Sequence, residues 1–596
     1  MQISRPEPRR IAACAALSTG AVHAWLAPGH LKEMPLFGAL FLVAACLCAD
    51  VAVRLWRSDD LQAWLVGTTV CTAMAVGYVF SRTVGLFSMH EGWDGLGVLC
   101  LLVDGTFLAA AVGRLPAQRP RLLGTLAATS VLVAGLISPA PALAWGSSGG
   151  GCLNSGCTTE FAVPLPIPAV LSPTSTDATT DYYTLNEQTA NVSVIPGKTT
   201  PMWTYNGTFP GPVIKATSGR AVKVHVVNVN LPEATTLHMH GAHVAPSSDG
   251  SPVATFGAGS STDYTYPNNQ SARIQWFHDH AKDLTGKHVY MGLAGMYLIG
   301  DNQEAALNLP TGAYDVPVIV QDRQFNPDGT LNYSLSSSSV RTGFLGDTVL
   351  VNGAAQPFFK VGTHKYRLRL LNGSNARYYT FALSSGASIT EIGNEAGLFS
   401  TPIAATSVTL PPAGRADVIV DFSAQPVGTS VVLKNTQGSG STADVMRFDV
   451  ANAVSDTSTI PTAMRSYTPL RTSNVTASRT FNISQNNGVW QFNNLSYDPA
   501  RIDAKVALGA TEQWTFNNRS GEDHPIHLHD INFQVLSVNG SAPTGDQAQW
   551  KETVNVPAWG TVSVIGQFSD FTGNYMFHCH ILEHEDNMLM SQFSVN

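Results

Sequence analysis

Three strands that end on asparagine set the frame for this chain. "AVKVHVVNV", "KYRLRLLN" and "TEQWTFNN" place Asn228, Asn372 and Asn517 at spacings of 144 and 145 residues. Each is preceded at a similar interval by an Asn-containing turn, "YNGTFPGP", "VNGAAQPF" or "FNNLSYDP". Self-similarity at a fixed period marks duplicated structural units. Within each unit, short alternating strands are broken by Gly, Pro, Asn and Ser clusters, the pattern of β-sandwiches and barrels. The 52 glycines and 34 prolines, with only 13% charged residues, favour β-rich globular structure over disorder. Three homologous β domains are expected at about 175–303, 310–455 and 465–596, after a Gly/Ser/Pro-rich linker at 145–174.

The first 144 residues differ. They hold five apolar runs, at about 11–27, 36–53, 61–80, 95–113 and 122–144, near the roughly 20 residues that span a bilayer. They predict an α-helical membrane module of about five transmembrane helices. Arg5, Arg9 and Arg10, then Arg54 and Arg57, then Arg114, Arg119 and Arg121 fall on one set of loops, and the other set offers only Lys32 and Arg82. The positive-inside rule then makes the N-terminus cytoplasmic and everything after residue 145 extracellular, on a multi-pass membrane protein. The last run also ends "PALAW", so release by cleavage after Ala144 is an alternative. Asp104 lies mid-run, and pairing within the bundle accounts for it as well as a function does. These residues carry ten Lys/Arg against eight Asp/Glu, which leaves −10 of the formal −8 total on the remainder. An acidic body gives no support to nucleic-acid binding.

Five of the eight cysteines lie in the apolar runs. Cys152 and Cys157 sit in the linker "GSSGGGCLNSGC", where an oxidising compartment would allow a disulfide. Cys579 is the only cysteine of the globular body.

The repeat organises the histidines. Ten and twelve residues past Asn228 stand His238 and His240 of "LHMHG", and the same count past Asn517 reaches His527 and His529 of "HPIHLH". From Asn372 it reaches Ala382 and Ser384, so the middle domain is expected to be a spacer without ligands. Second pairs follow in "WFHDH" (His278, His280) and "FHCH" (His578, His580), with Cys579 in the place of Asp279. Seven residues past the asparagine, the third domain has His524 where the first has Thr235. Along a strand, residues i and i+2 share a face and i+1 takes the other. Four such pairs converge eight imidazoles on one inter-domain cavity, while Cys579 faces its own domain's interior with His524 and His584. His₂Cys with a weak axial ligand is the mark of a blue-copper electron-transfer centre. His225 and His364 are expected to be satisfied locally, and His243, off the i, i+2 pattern, to serve a loop or supporting role.

At these residues, and in "MWTYNGTFPGPVI", "HVYMGLAGMYLIG" and "RADVIVDFS", the chain resembles the three-domain multicopper oxidases over about residues 180–596. The branch is that of bacterial and spore-coat laccases, bilirubin oxidase and phenoxazinone synthase. The resemblance implies an all-β fold of three cupredoxin-like Greek-key domains and four copper ions. It assigns a type 1 copper to His524, Cys579 and His584, and a type 2 copper to His238 and His527. A type 3 pair goes to His240, His278, His280, His529, His578 and His580. Asp249 and Glu585 match the family's acidic proton-relay positions, and Leu589 stands at the axial type 1 position between Met588 and Met590. The implied activity is laccase-like, with four one-electron oxidations of phenolic or aromatic-amine reductants coupled to reduction of O₂ to two waters. A cuprous oxidase would share every ligand, and a copper-free or copper-binding structural or delivery protein of the membrane is the alternative of another class.

Overall fold

The internal repeat reappears as strand pairing. Ala221–Asn228 runs parallel to Thr180–Val192 and antiparallel to Ser260–Tyr266. Lys365–Asn372 stands likewise between Asp315–Arg323 and Arg415–Asp421, and Thr511–Asn518 between Val475–Asn486 and Thr561–Gln567. Parallel neighbours need a crossover connection, so each unit passes its chain between two sheets. The computed structural model describes residues 8–33, 35–83, 103–104, 106–108, 110–111 and 159–596. The chain divides into two units, Met1–Ser148 and Gly149–Asn596, each taken by itself below.

The second unit is all-β in plan. A five-stranded and a four-stranded sheet enclose the core around Val224, Leu237 and Phe277. A seven-stranded and a five-stranded sheet enclose the core around Leu368, Phe381 and Phe448. A six-stranded and a five-stranded sheet enclose the core around Trp514, Phe577 and Leu589.

The repeat's anchor is a buried asparagine at the strand end, and here the sequence register needs one correction. Asn228 Nδ2 donates to Glu233 O (3.0 Å) and its Oδ1 accepts from Leu231 N (2.9 Å). Asn372 donates to Arg377 O (2.7 Å) and accepts from Ser374 N (3.0 Å). In the third unit Asn518, not Asn517, does this, donating to Glu522 O (2.7 Å) and Pro557 O (2.9 Å) and accepting from Ser520 N (2.9 Å). Alternation along the strand buries Asn518 and turns Asn517 toward Asn482 and Thr561. The connection to the first histidine pair is therefore one residue shorter in the third unit.

The first unit holds helices at Pro8–Glu33, Pro35–Arg57 and Leu61–Thr83. Among the described residues no helix is long and apolar enough to cross a membrane. The expectation of a five-helix transmembrane module therefore gains no support from them. Most of the fourth apolar run, the fifth run, Ala144, Cys152 and Cys157 lie outside the described residues. Asp104 is paired within its unit, accepting from Thr19 Oγ1 at 2.8 Å.

Truncating Asn518 strands buried backbone carbonyls, each worth about 1–3 kcal/mol when left unsatisfied. Asn518→Ala is expected to lower unfolding stability by about that amount or more, and Asn517→Ala by clearly less. Denaturant titration of the two variants checks the order.

Candidate metal centre

Two sheets bring the histidines together. In the first β unit Leu237–His240 pairs antiparallel with Arg273–Asp279, which sets His238 opposite His278. In the third, His524–Leu528 pairs with Gly573–Cys579, which sets His527 opposite His578. Alternation along each strand then aims His238, His240, His278, His280, His527, His529, His578 and His580 into one buried space. The rings stack across it, His240 on His527 at 3.7 Å and His238 on His529 at 4.1 Å between centroids.

The six histidines read as one pair of sites resolve into two triads. His240, His278 and His580 converge on one point, and His280, His529 and His578 on another, with ligand atoms within 4.8 Å in each. His238 and His527 form a third group with His240. The Nε2 atoms of His280 and His529 each lie 3.2 Å from that of His578.

Outward-facing nitrogens are held by the protein, which orients the inward ones. His238 Nδ1 donates to Asp249 O (2.6 Å), His278 Nδ1 to Asp279 O (2.7 Å) and His527 Nδ1 to Glu552 O (3.1 Å). The Nε2 atoms of His238, His278 and His527, and both nitrogens of His580, are buried without a hydrogen-bond partner. Buried polar atoms are nearly always paired, and an imidazole whose other nitrogen donates to a carbonyl is the usual form of a metal ligand. The donor set fits copper, which imidazole and thiolate suit.

Asp249 and Glu585 take up positions between ligand histidines. His529 Nδ1 donates to Asp249 Oδ2 at 2.8 Å. Glu585 lies 3.0 Å from His578 Nδ1 and 3.3 Å from His280 Nδ1, and accepts from Thr285 Oγ1 at 2.7 Å. Burial works against both charges, yet the neighbouring imidazoles hold Asp249 and Glu585 below the usual carboxylate range.

Cys579 faces the other way, into the core with Trp514, Phe577 and Leu589. Its Sγ lies 3.5 Å from His524 Nδ1 and 3.7 Å from His584 Nδ1. Ser520 Oγ holds His524 Nε2 (2.9 Å), and the carbonyl of Arg341 accepts from His584 Nε2 (2.8 Å). Trp490 packs on both rings. Burial pushes the thiol up and His584 down to about 3, so without metal the trio is neutral. Leu589 is tied to two of the three through its backbone: its N donates to His584 O (2.9 Å) and its O accepts from Cys579 N (3.0 Å). Met590 and Met588 pack instead with Tyr497 and Met576.

The middle β unit supplies no member of these groups among the described residues, but it is more than a spacer. Arg415 pairs with Glu552, whose Oε1 lies 2.7 Å from His240 Nε2. His240 thereby has its Nε2 held by Glu552 and its Nδ1 left unpartnered. Thr553 Oγ1 touches both His240 Nε2 and His527 Nδ1 at 3.4 Å. Sequence reasoning missed Glu552, and it read Arg415 only as part of "RADVIVDFS". The one local signal was Glu552's place just before the strand that pairs with His524–Leu528.

Four further histidines of the second unit, Gly149–Asn596, have ordinary partners. His225 meets Asp263 (2.6 Å), His364 meets Asp456 (3.1 Å) and His243 meets Asp570 (2.5 Å). His288 bridges Asp279 (2.7 Å) and Glu233 (3.0 Å).

Glu552→Gln is expected to weaken copper retention in the eight-histidine space by roughly 10–100-fold. The chromophore at Cys579 should survive. Metal analysis after dialysis against a graded chelator, read beside the visible spectrum, measures the two separately.

Comparison with known proteins agrees with this geometry. Two multicopper oxidase family models match residues 186–304 and 467–596. A laccase of Bacillus subtilis (strain 168) is 34% identical over 510 residues, covering 73% of this chain and 98% of that protein. A bilirubin oxidase of Albifimbria verrucaria is 32% identical over 468 residues, covering 73% and 81%. The crystal structure of a laccase from Pediococcus acidilactici superimposes with a TM-score of 0.69 at 31% identity, covering 74% of this chain and 95% of that one. The chain belongs to the multicopper oxidase family.

Proposed function

We propose that this protein is a laccase-like oxidase that takes electrons singly from phenolic or aromatic-amine reductants and delivers four of them to O₂. His524, Cys579 and His584 would hold the type 1 copper, and His238 and His527 the type 2 copper. His240, His278 and His580 would hold one copper of the type 3 pair, and His280, His529 and His578 the other. Bound there, copper supplies the one-electron couples for substrate oxidation and the multi-electron reduction of O₂ to two waters. The protein's part is arrangement. Trp490 and the surrounding core keep water from Cys579 and its two imidazoles. Asp249 accepts the Nδ1 proton of His529, the carbonyl of Cys579 accepts that of His578, and Glu585 lies 3.0 Å from the same His578 nitrogen. The two carboxylates stand where protons reach the histidine cluster, and the Thr285 hydroxyl on Glu585 extends that path by one group.

The observation that carries this reading is the strand end His578–Cys579–His580. Cys579 turns to His524 and His584 while its two chain neighbours turn into the eight-histidine space. One covalent segment thus touches both centres.

The apolar runs and arginine distribution of residues 1–144 support a membrane anchor that leaves the oxidase outside the cell. Recovery of the full-length protein from membranes by alkaline carbonate alone would overturn the anchor. Leu589, tied to Cys579 and His584, supports an axial position without a thioether and hence a high reduction potential.

Copper-loaded full-length protein is expected to show an intense blue band, type 1 and type 2 EPR signals and O₂ uptake with a phenol. Uptake with Cu(I) and none with phenols would turn the reading to metal oxidation, and a colourless protein would end it. Leu589→Met should lower the type 1 potential in a potentiometric titration, and an unchanged value would place the axial position elsewhere.

A further inference from the structure

Between the middle and third β units lies a cleft of about 810 Å³. Its wall includes Thr553, which touches His240 and His527, together with Asp523 and Ile581, the chain neighbours of His524 and His580. Tyr378, Leu345 and Val408 contribute aromatic and apolar wall.

The polar lining is lopsided. Four carboxylates, Glu391, Glu522, Asp523 and Asp546, stand against two cations, Arg377 and Lys551. Both cations are committed. Arg377 donates to Asp322 Oδ2 (2.7 Å) and Gly346 O (2.6 Å), away from the lining. Lys551 is held between Asp546 (2.6 Å) and Glu395 (2.9 Å). Glu522 is neutralised by Arg341. Among the described residues Asp523 meets only neutral donors, Asn555 Nδ2 (3.0 Å) and Ala558 N (2.8 Å). Glu391, on strand Ile389–Asn394, is only 6% exposed and accepts no hydrogen bond among the described residues. Burial and Asp546 push its carboxyl up to about 7 against the pull of Lys551. With no donor among the described residues, its carboxyl oxygens stay open to the cleft, where a cationic ligand can reach them.

We propose that this cleft selects phenolic reductants whose ring carries a cationic side-chain nitrogen, such as a benzylic ammonium, over anionic aromatics, with Glu391 and Asp523 providing the charge recognition. The inference rests on the reductant site lying beside His524, Cys579 and His584, as proposed above. An aromatic ring fits the apolar wall, and a cation relieves the uncompensated negative charge, whereas an anion adds to it.

Three methoxyphenols of like ring and different charge test this on the copper-loaded full-length protein: vanillylamine (cationic), creosol (neutral) and homovanillate (anionic). KM is expected to rise in that order, with roughly tenfold or more between the first and last. Glu391→Gln should raise KM for vanillylamine and lower it for homovanillate. Asp523→Asn should do the same, and Glu391→Asp should restore part of the preference. Opposite movements separate lost charge recognition from damage to the fold, which would shift both KM values upward together. Calorimetric binding of benzylammonium against phenylacetate, neither of them a phenol, reads the same preference without turnover. Equal KM values, or a preference that survives both neutralising variants, would overturn the proposal. Benzylammonium binding with no creosol-driven O₂ uptake would sink the oxidase reading and leave the cleft assignment standing, and the reverse result would sink the cleft alone.

Discussion

The two-residue period of a β-strand is the constraint on which the centre depends. His578, Cys579 and His580 are consecutive, so the first and third side chains must share a face and the second must take the other. Everything around the strand accepts that division. The sheet of the first β unit faces the outer pair with four more imidazoles, while the core of the third encloses the sulfur with Phe577, Trp514 and Leu589. A bulge of one residue here would exchange the faces, withdrawing His578 and His580 and placing the thiol among the other six imidazoles. The regular pairing of Ile526 with Cys579 and His527 with His578 prevents that slip.

Orientation of the imidazoles is the second requirement, and it is met from outside the sites. A ring nitrogen is a ligand only when its lone pair points inward, so the opposite nitrogen must be given a reason to carry the proton. Backbone carbonyls of Asp249, Asp279 and Glu552 do this for three rings, and the Asp249 side chain for a fourth. Arg415 and Glu552 extend the scheme across domains: a guanidinium from the middle unit fixes a carboxylate of the third beside an imidazole of the first. The ligand-free middle unit is thereby built into the centre, and its Arg341 carbonyl does for His584 what Ser520 does for His524.

What was legible in the sequence follows from this. The histidine pairs and Cys579 were readable because strand periodicity is local, and a repeat near 145 residues placed them in equivalent positions. Glu552 and Arg415 were not, because they stand 137 residues apart and meet only through the packing of units. The choice between Asn517 and Asn518 was equally closed. Two identical neighbours differ only in which face they take, and the pairing of Ile483 with Asn518 is a tertiary fact. In the first 144 residues only hydropathy and the arginine distribution were available, and the described helices did not add to them.

The first and third β units also show why a group of one cysteine and two histidines forms only once among the described residues. Thr235 and Asp279 stand in the first where His524 and Cys579 stand in the third. Asp279 is buried and its oxygens are taken: Thr236 N (2.9 Å), Ala281 N (2.9 Å) and His288 Nδ1 (2.7 Å) all donate to it. Thr235 donates to Glu187, a neighbouring buried carboxyl pushed up to about 8 by burial. With both Asp279 oxygens and the Thr235 hydroxyl so engaged, little lone-pair capacity is left there for a metal. Cys579 receives a single weak backbone contact, Ile581 N at 3.4 Å, and the imidazoles beside it present nitrogens rather than protons already committed elsewhere. A soft sulfur in an apolar core, short of hydrogen bonds, becomes a stable thiolate only when a cation joins it. The same fold thus closes one position with hydrogen bonds and keeps its twin open for a metal, by the exchange of Asp and Thr for Cys and His.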